Sequence, residues 1–115
     1  MISPEPEQPT DIYRLIREAI ERKQQVLATY HGYYREMCPH ALGYNKRGDA
    51  QALFYQFGGE SSRPLGPPGS PENWRCIRID ELSNVSLRVG EWHTAGDHTR
   101  HETCVFHRLD LSITR

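Results

Sequence analysis

Long apolar runs are absent from this sequence. In its 115 residues no apolar stretch approaches the length of ~20 residues that a membrane-spanning helix needs. Residues 1–7 also lack the basic and apolar segments of a secretory signal, so we expect a cytoplasmic protein. The length fits one small domain, and a hydrophobic content of 37% is too low to fill two.

Cysteine and the familiar catalytic motifs are equally scarce. The three cysteines, Cys38, Cys76 and Cys104, are too few and too widely spaced for a disulfide scaffold or a CxxC site, so we expect reduced thiols. The sequence has no glycine-rich phosphate loop, nucleophile elbow, HExxH or EF-hand pattern. We therefore predict no catalytic residues, no cofactor and a non-enzymatic protein.

The charge is balanced, but its cations are of one kind. Fourteen basic residues face fifteen acidic ones, which disfavours a uniformly basic protein that coats nucleic acid. All basic residues except Lys23 and Lys46 are arginines, whose planar guanidinium suits bidentate recognition of phosphate or carboxylate. A GC-rich genome would produce the same bias. The near-neutral total favours a local anion pocket over a long phosphate-tracking groove.

One helix is predicted near the start of the chain. Residues 1–9 contain three prolines and no aliphatic cluster, which indicates a flexible arm before a single domain over 10–115. Helical spacing then predicts a helix over 10–25 with Thr10 or Asp11 as its N-cap. Its apolar stripe consists of Ile12, Leu15, Ile16, Ala19 and Ile20.

The rest of the chain has the patterns of short strands. Strands are predicted at 26–30, 33–42 with a bend at Pro39, 51–57, 74–79 and 85–89, and a last one follows a histidine-rich connector within 91–115. The glycine- and proline-rich residues 58–73 indicate a mobile flap or an insertion. The predicted fold class is mainly β: an N-terminal helix followed by a small, strongly bent antiparallel barrel of five to six strands over 26–90.

Several segments together resemble the WYL domain, a bacterial sensory module with an Sm-like or SH3-like barrel. Residues 16–20 followed by 27–30 resemble its helix and first strand. Residues 35–44 resemble its second strand, and 75–85 resemble a strand and turn with two arginines before an apolar–Asp pair. The Trp-Tyr-Leu triplet that gives the family its name is degenerate here, because residues 51–53 are Gln-Ala-Leu and only the leucine is kept. The resemblance implies a sensory domain standing alone, without a DNA-binding segment.

Arginines carry the binding site that this resemblance implies. Arg35, Arg75 and Arg78 are the candidates for a face that holds a nucleotide-like or oligonucleotide ligand. Arg75 and Arg78 are three apart on a strand and should point to opposite faces, so we expect one of them to be structural. In the structural interpretation, Arg78 pairs with Asp80 or Glu81 and holds the turn.

Three further residues are candidates for the same ligand. Tyr44 and Trp74 lie at strand ends beside loops, where an aromatic ring either stacks on a base or packs in the core. His40 follows Pro39 and, by the resemblance, belongs to the ligand side; alternatively it bonds its own strand neighbours.

A histidine-rich segment is the weaker candidate for chemistry. Imidazole and thiolate groups bind zinc, and His98, His101, Cys104 and His107 follow one another at three-residue spacing. On a strand this spacing alternates sides and does not match the usual zinc hooks. A polar, histidine-rich loop is the favoured interpretation, and a pH-sensitive loop is another.

Three functions from different classes follow. The leading hypothesis is a ligand-sensing, regulatory module for transcription or defence that binds a small anionic or oligonucleotide ligand and acts through a protein partner. Its helix could also form a homodimer interface. The alternative is an oligomeric Sm-like nucleic-acid-binding protein, whose affinity should fall steeply with salt. A metal-dependent hydrolase using the histidine-rich segment ranks third.

Overall fold

A computed structural model of the chain describes residues 9–95, 104 and 106–113. It confirms the mainly β class. One helix is followed by six antiparallel strands: α1 (Pro9–Arg22), β1 (Gln25–Tyr30), β2 (Tyr33–Tyr44), β3 (Ala50–Gly59), β4 (Trp74–Arg78), β5 (Leu82–Arg88) and β6 (Arg108–Ser112). Residues 1–8 of the predicted arm lie outside the described residues. The predicted N-cap is wrong, because Thr10 and Asp11 already lie inside α1.

The helix ends earlier than predicted for a local reason. Lys23 adopts the left-handed conformation with φ 53°. The Gln24 amide then donates to the Ala19 carbonyl at 2.9 Å, and the Lys23 amide donates to the Ile20 carbonyl at 3.3 Å. These two bonds satisfy carbonyls of the last turn and stop the helix at Arg22.

The apolar stripe of α1 packs on the sheet. Its buried members are Ile12, Ile16, Ala19 and Ile20, which join the first core cluster with residues of β1, β2, β3 and β4. The stripe is thus engaged within the chain. The homodimer interface that the sequence placed on this helix stays a prediction.

The strands form one open sheet. Its order is β4-β3-β2-β1-β5, with β6 added to β2. Strand β2 is long enough to pair with β1 over 33–37 and with β6 over 41–44. Among the described residues β4 and β5 do not pair with each other, so a closed barrel is not confirmed.

Register shifts occur in several strand pairs, and two of them concern predicted features. The register of β2 against β3 shifts between Pro39 and Ala41, a bulge at the point where the sequence predicted a bend. In β5 the register against β1 shifts beside Asn84, which has φ 53°. This left-handed residue interrupts the alternation of buried and exposed residues, so the alternating pattern indicated only the part of β5 that follows it. The strand begins at Leu82, three residues before the predicted start.

A second core cluster lies on the opposite face of β3 and β4. It contains Leu53, Tyr55 and Trp74 from the strands, with Ala95 and Cys104 from the C-terminal part. The Cα atoms of Cys76 and Cys104 are 5.1 Å apart, and the two sulfurs form a disulfide. The expectation of three reduced thiols is therefore wrong, because the fold brings together two cysteines that are far apart in the sequence. Only Cys38 is free.

None of the helices in the described part of the chain is long and apolar enough to cross a membrane.

Candidate functional site

Four strand termini meet at one end of the sheet. Because neighbouring strands are antiparallel, the end of β1, the start of β2, the end of β3 and the start of β4 lie side by side. Strands β1 and β2 are joined there by the tight turn of His31 and Gly32, both with positive φ. The loop 60–73 leaves from the same end. Two connecting segments, several tyrosines and several arginines therefore lie close together at this end of the sheet.

Arg35 lies at this end, on the face of the sheet that packs against α1. It is only 3% exposed. Its Nη1 donates to Gln56 Oε1 at 3.3 Å and to Ser61 Oγ at 3.4 Å. Its guanidinium carbon lies 5.0 Å from the ring centroid of Tyr30 and 5.7 Å from that of Tyr33. Its Nε is buried without a hydrogen-bond partner. One donor of this buried cation is therefore unused.

Arg75 lies on the same face, opposite Phe54 in the β3–β4 register, and is 6% exposed. Its Nη1 donates to the carbonyls of Glu72 at 2.6 Å and Trp74 at 3.0 Å. Its Nη2 donates to the Arg63 carbonyl at 3.1 Å. Its Nε donates to Ser61 Oγ at 3.4 Å, so Ser61 accepts from both buried arginines. Arg75 thereby fixes the loop 60–73 to the start of β4.

A third guanidinium completes what we call the arginine cluster, Arg35, Arg63 and Arg75. The exposed Arg63 donates from Nη2 to the Trp74 carbonyl at 3.3 Å. Burial first, and then the positive charges of Arg63 and Arg35, lower the pKa of Arg75 to about 10. Burial likewise lowers the pKa of Arg35. Burial thus penalises the charge of both guanidiniums, and the neighbouring cations add to that penalty at Arg75.

No carboxylate neutralises this cluster within the described residues. The ion pairs found there join other cations to carboxylates, and none includes Arg35, Arg63 or Arg75. Hydrogen bonds hold Arg35 and Arg75 in place, but they leave a net positive charge in a largely buried position, and clustered cations with lowered pKa values are a feature of functional sites. The cluster supplies positive charge and planar donor groups, which are the requirements of a phosphate or carboxylate site.

A cavity of about 380 Å³ opens on the other face of β3, and we call it the aromatic cavity. The rings of Tyr55, Phe57, Trp92 and His93 line it, together with part of the loop 60–73, Asn73 and Thr94. The rings of Phe57 and His93 stack with centroids 4.1 Å apart. Tyr55 and Phe57 alternate with Gln56 along β3, so the cavity and the arginine cluster occupy opposite faces of one strand.

His40 holds one wall of this cavity in place. It is 2% exposed, and its Nδ1 lies 2.9 Å from the Cys38 carbonyl, which can only accept. Neutral His40 therefore carries its proton on Nδ1, and its Nε2 lies 3.0 Å from the Thr94 hydroxyl oxygen. The ring also contacts Trp74 edge-on and Trp92 at 4.9 Å between centroids. His40 thus positions the segment 92–94 instead of facing the arginine cluster.

Of the six predicted binding residues, the structure brings only Arg35 and Arg75 into the arginine cluster, whereas His40 and Trp74 contact each other on the other face of the sheet. Arg78 lies on the alternate face of β4, where its Nη2 pairs with Asp80 at 2.8 Å and with Asp49 at 3.6 Å. This is the pairing that the structural interpretation of Arg78 described.

Tyr44 and Trp74 both have aromatic or cationic neighbours within the chain. Tyr44 stacks on Tyr13 at 5.5 Å between centroids and lies 4.4 Å from the guanidinium carbon of Arg108. Trp74 is 5% exposed and packs edge-on against Tyr55 at 5.0 Å in the second core cluster. Neither ring presents an open stacking face beside the arginine cluster.

The predicted metal ligands are only partly within the described residues. His98 and His101 lie outside them. Cys104 is in the disulfide and cannot act as a thiolate ligand, and the exposed His107 donates its amide to the Tyr44 carbonyl at 2.9 Å. The part of the chain that the structure describes holds no group of three or more side chains that could bind a metal ion.

Arg63 and the aromatic cavity were missed by reasoning from the sequence. Arg63 is the one basic residue in the loop 60–73, a signal that could have been followed. The cavity combines rings from β3 with rings from residues 92–93, and no local pattern joins these segments. Comparisons with protein-family models, curated proteins and solved structures found no match to this chain.

Proposed function

We propose that the protein is a non-enzymatic, ligand-sensing module that binds a small anion through the arginine cluster. One observation carries this proposal. Two arginines, each more than nine-tenths buried, converge with a third, and no described carboxylate pairs with them. A bound phosphate or carboxylate would offset the burial that lowers the pKa of Arg35, and the burial and charge repulsion that lower the pKa of Arg75.

The geometry supports an anion of limited size. The buried Nε of Arg35 is a donor that has no hydrogen-bond partner, and an anion oxygen that reached it would supply one. Most N–H donors of Arg75 already bond backbone carbonyls. Arg75 therefore contributes positive charge to the site and holds the loop in position. Arg63 is exposed, so its side chain can turn toward a ligand at modest cost. A cluster of three guanidiniums suits one or two phosphate groups better than a long strand.

A nucleotide-like or oligonucleotide ligand remains part of the proposal, because the resemblance to the WYL domain implies one. The regulatory role in transcription or defence rests on that resemblance as well. A sensor of this size would act by contacting another protein when the ligand is bound. The oligomeric nucleic-acid-binding alternative would need phosphate contacts that continue beyond the cluster.

Calorimetric titration tests the proposal. The probes are inorganic pyrophosphate, adenosine monophosphate and a short oligothymidylate, each at low and moderate salt. The test variants are Arg35→Gln and Arg63→Gln, and the matched control is Arg78→Gln, an arginine already paired with Asp80. A hydrogen bond to a charged group contributes roughly 1.5–3 kcal/mol, so each test variant should bind pyrophosphate about 10- to 150-fold more weakly.

The control should bind within about twofold of the original chain, because Arg78 has no contact with the cluster. If pyrophosphate and adenosine monophosphate both fail to bind the folded protein at millimolar concentration, the proposal is wrong. An equal loss in Arg78→Gln and Arg63→Gln would also contradict it. For the oligothymidylate, three neutralised phosphates predict a slope of log K against log salt of about −2, and a much steeper slope favours the oligomeric alternative.

A further inference from the structure

The aromatic cavity is separate from the arginine cluster and is not explained by anion binding. Tyr55 and Phe57 face it from β3, while Gln56 between them faces Arg35. Its volume of about 380 Å³ lies within the range of small-molecule sites in proteins. Among the described residues that line it, none is an Asp, Glu, Lys or Arg. This lining favours an uncharged ligand, in contrast to the anion of the proposed function.

Aromatic rings dominate the walls. Tyr55, Phe57, Trp92 and His93 are four of the ten lining residues. Phe57 and His93 already form a stacked pair with planes 17° apart, and both rings are only partly buried. Ring faces attract other flat rings in offset-stacked or edge-on arrangements, beyond the general effect of burying apolar surface. These walls favour a planar ring over a branched aliphatic group of equal size.

The remaining wall is a loop held in a defined shape. Asn73 is 3% exposed, and its Oδ1 accepts from the Gly66 amide at 2.7 Å. Its Nδ2 donates to the carbonyls of Gly66 at 3.3 Å and Pro67 at 3.4 Å. The Tyr55 hydroxyl donates to the Ser70 carbonyl at 2.9 Å. A wall fixed by these bonds is pre-organised, so a ligand loses little binding free energy in ordering it.

We infer that the aromatic cavity is a second binding site, specific for a planar, uncharged heteroaromatic molecule. The ring packs against the aromatic walls, and polar atoms on its edge meet the backbone of the loop and the Thr94 hydroxyl. Thr94 is exposed and is held by His40, so its oxygen stands at the rim in a fixed position. This inference does not depend on the arginine cluster.

Indole and cyclohexanol are the probes for the test. Both are small and uncharged, and only indole is a flat heteroaromatic ring. Amide chemical shifts in a ¹H–¹⁵N NMR titration report binding residue by residue. Indole should bind saturably in the millimolar range, as expected for a fragment, and should shift the amides of Gly66, Gly69, Asn73 and Thr94. Cyclohexanol should bind at least tenfold more weakly.

A matched pair of variants distinguishes a blocked cavity from a folding defect. Leu65→Trp places a large ring in the cavity, and Leu109→Trp makes the same change at a leucine of β6 that is 50% exposed. Indole affinity should fall at least tenfold in Leu65→Trp and should be unchanged in Leu109→Trp, while the spectra of both variants keep the dispersion of a folded protein. Pyrophosphate should not compete with indole.

Three outcomes would overturn the inference. They are the absence of saturable shifts with indole, equal binding of cyclohexanol, and full indole affinity in Leu65→Trp. Displacement of indole by pyrophosphate would place both probes in the arginine cluster and would equally reject a separate site. Failure of pyrophosphate to bind at all concerns only the proposed function.

Discussion

Reduction of the Cys76–Cys104 disulfide should destabilise the protein strongly. The two cysteines are 28 residues apart, and the chain-entropy relation for a loop of this length gives about 3.5 kcal/mol. A chain of 115 residues unfolds with an entropy near 0.24 kcal/mol/K, at ~2.1 cal/mol/K for each residue. One kcal/mol therefore corresponds to ~4 °C in Tm, and reduction should lower Tm by ~15 °C.

Calorimetry with and without a phosphine reductant measures this shift. The matched control is the double variant Cys76→Ala with Cys104→Ala, whose Tm should be low and insensitive to the reductant. Thiol counting checks the premise, because denatured but unreduced protein should expose one reactive thiol, that of Cys38. Three reactive thiols would show that the disulfide is absent. A Tm change below ~3 °C on reduction of an existing disulfide would refute the loop-entropy argument.

Three further predictions concern buried and paired side chains. Ile16→Ala truncates a fully buried residue of the first core cluster and should lower the free energy of unfolding in urea by about 2–5 kcal/mol. A decrease of less than ~1 kcal/mol would mean that α1 does not pack on the sheet as described. Burial raises the pKa of the Cys38 thiol to about 11, so iodoacetamide should modify the native protein slowly until the pH approaches that value, and fast labelling at neutral pH would contradict the burial. Hydrogen bonds from Tyr13 and Arg17 lower the pKa of Asp110. The folded protein gains stability from these bonds at neutral pH, and it loses this stability as the pH falls through the lowered pKa of the carboxyl group. Asp110→Asn should therefore flatten the acid side of the stability profile, and an unchanged profile would show that the contact contributes nothing.

The helix and most strands could be predicted because their signals are local. The stripe from Ile12 to Ile20 repeats at helical spacing, and four of its five members are buried in the structure as expected, whereas Leu15 is only half-buried and lies outside the first core cluster. The exceptions have local causes that hydrophobic spacing does not contain. Lys23 and Asn84 each adopt positive φ although neither is glycine, and each moves an element boundary.

The site could be predicted only in part, because its residues meet through the loop 60–73. Arg35 and Arg75 lie on strands that the sequence predicted. Arg63 belongs to a loop whose path no periodicity predicts, yet its carbonyl and its guanidinium both contact the start of β4. The disulfide was missed for the same reason: spacing along the sequence does not tell which cysteines the fold brings together.

The loop 60–73 also determines which variants can separate the two sites. Ser61 and Arg63 contact the buried arginines, whereas Leu65, Gly66 and Gly69 line the aromatic cavity. Arg75 holds this loop through backbone carbonyls at both of its ends, so replacing it would remove a charge from one site and release the wall of the other. A loss of anion binding in an Arg75 variant would therefore not distinguish a direct contact from a displaced loop. Among the described residues the exposed Arg63 guanidinium makes one hydrogen bond, to the Trp74 carbonyl, so removing it changes the charge of the cluster with the least effect on the loop.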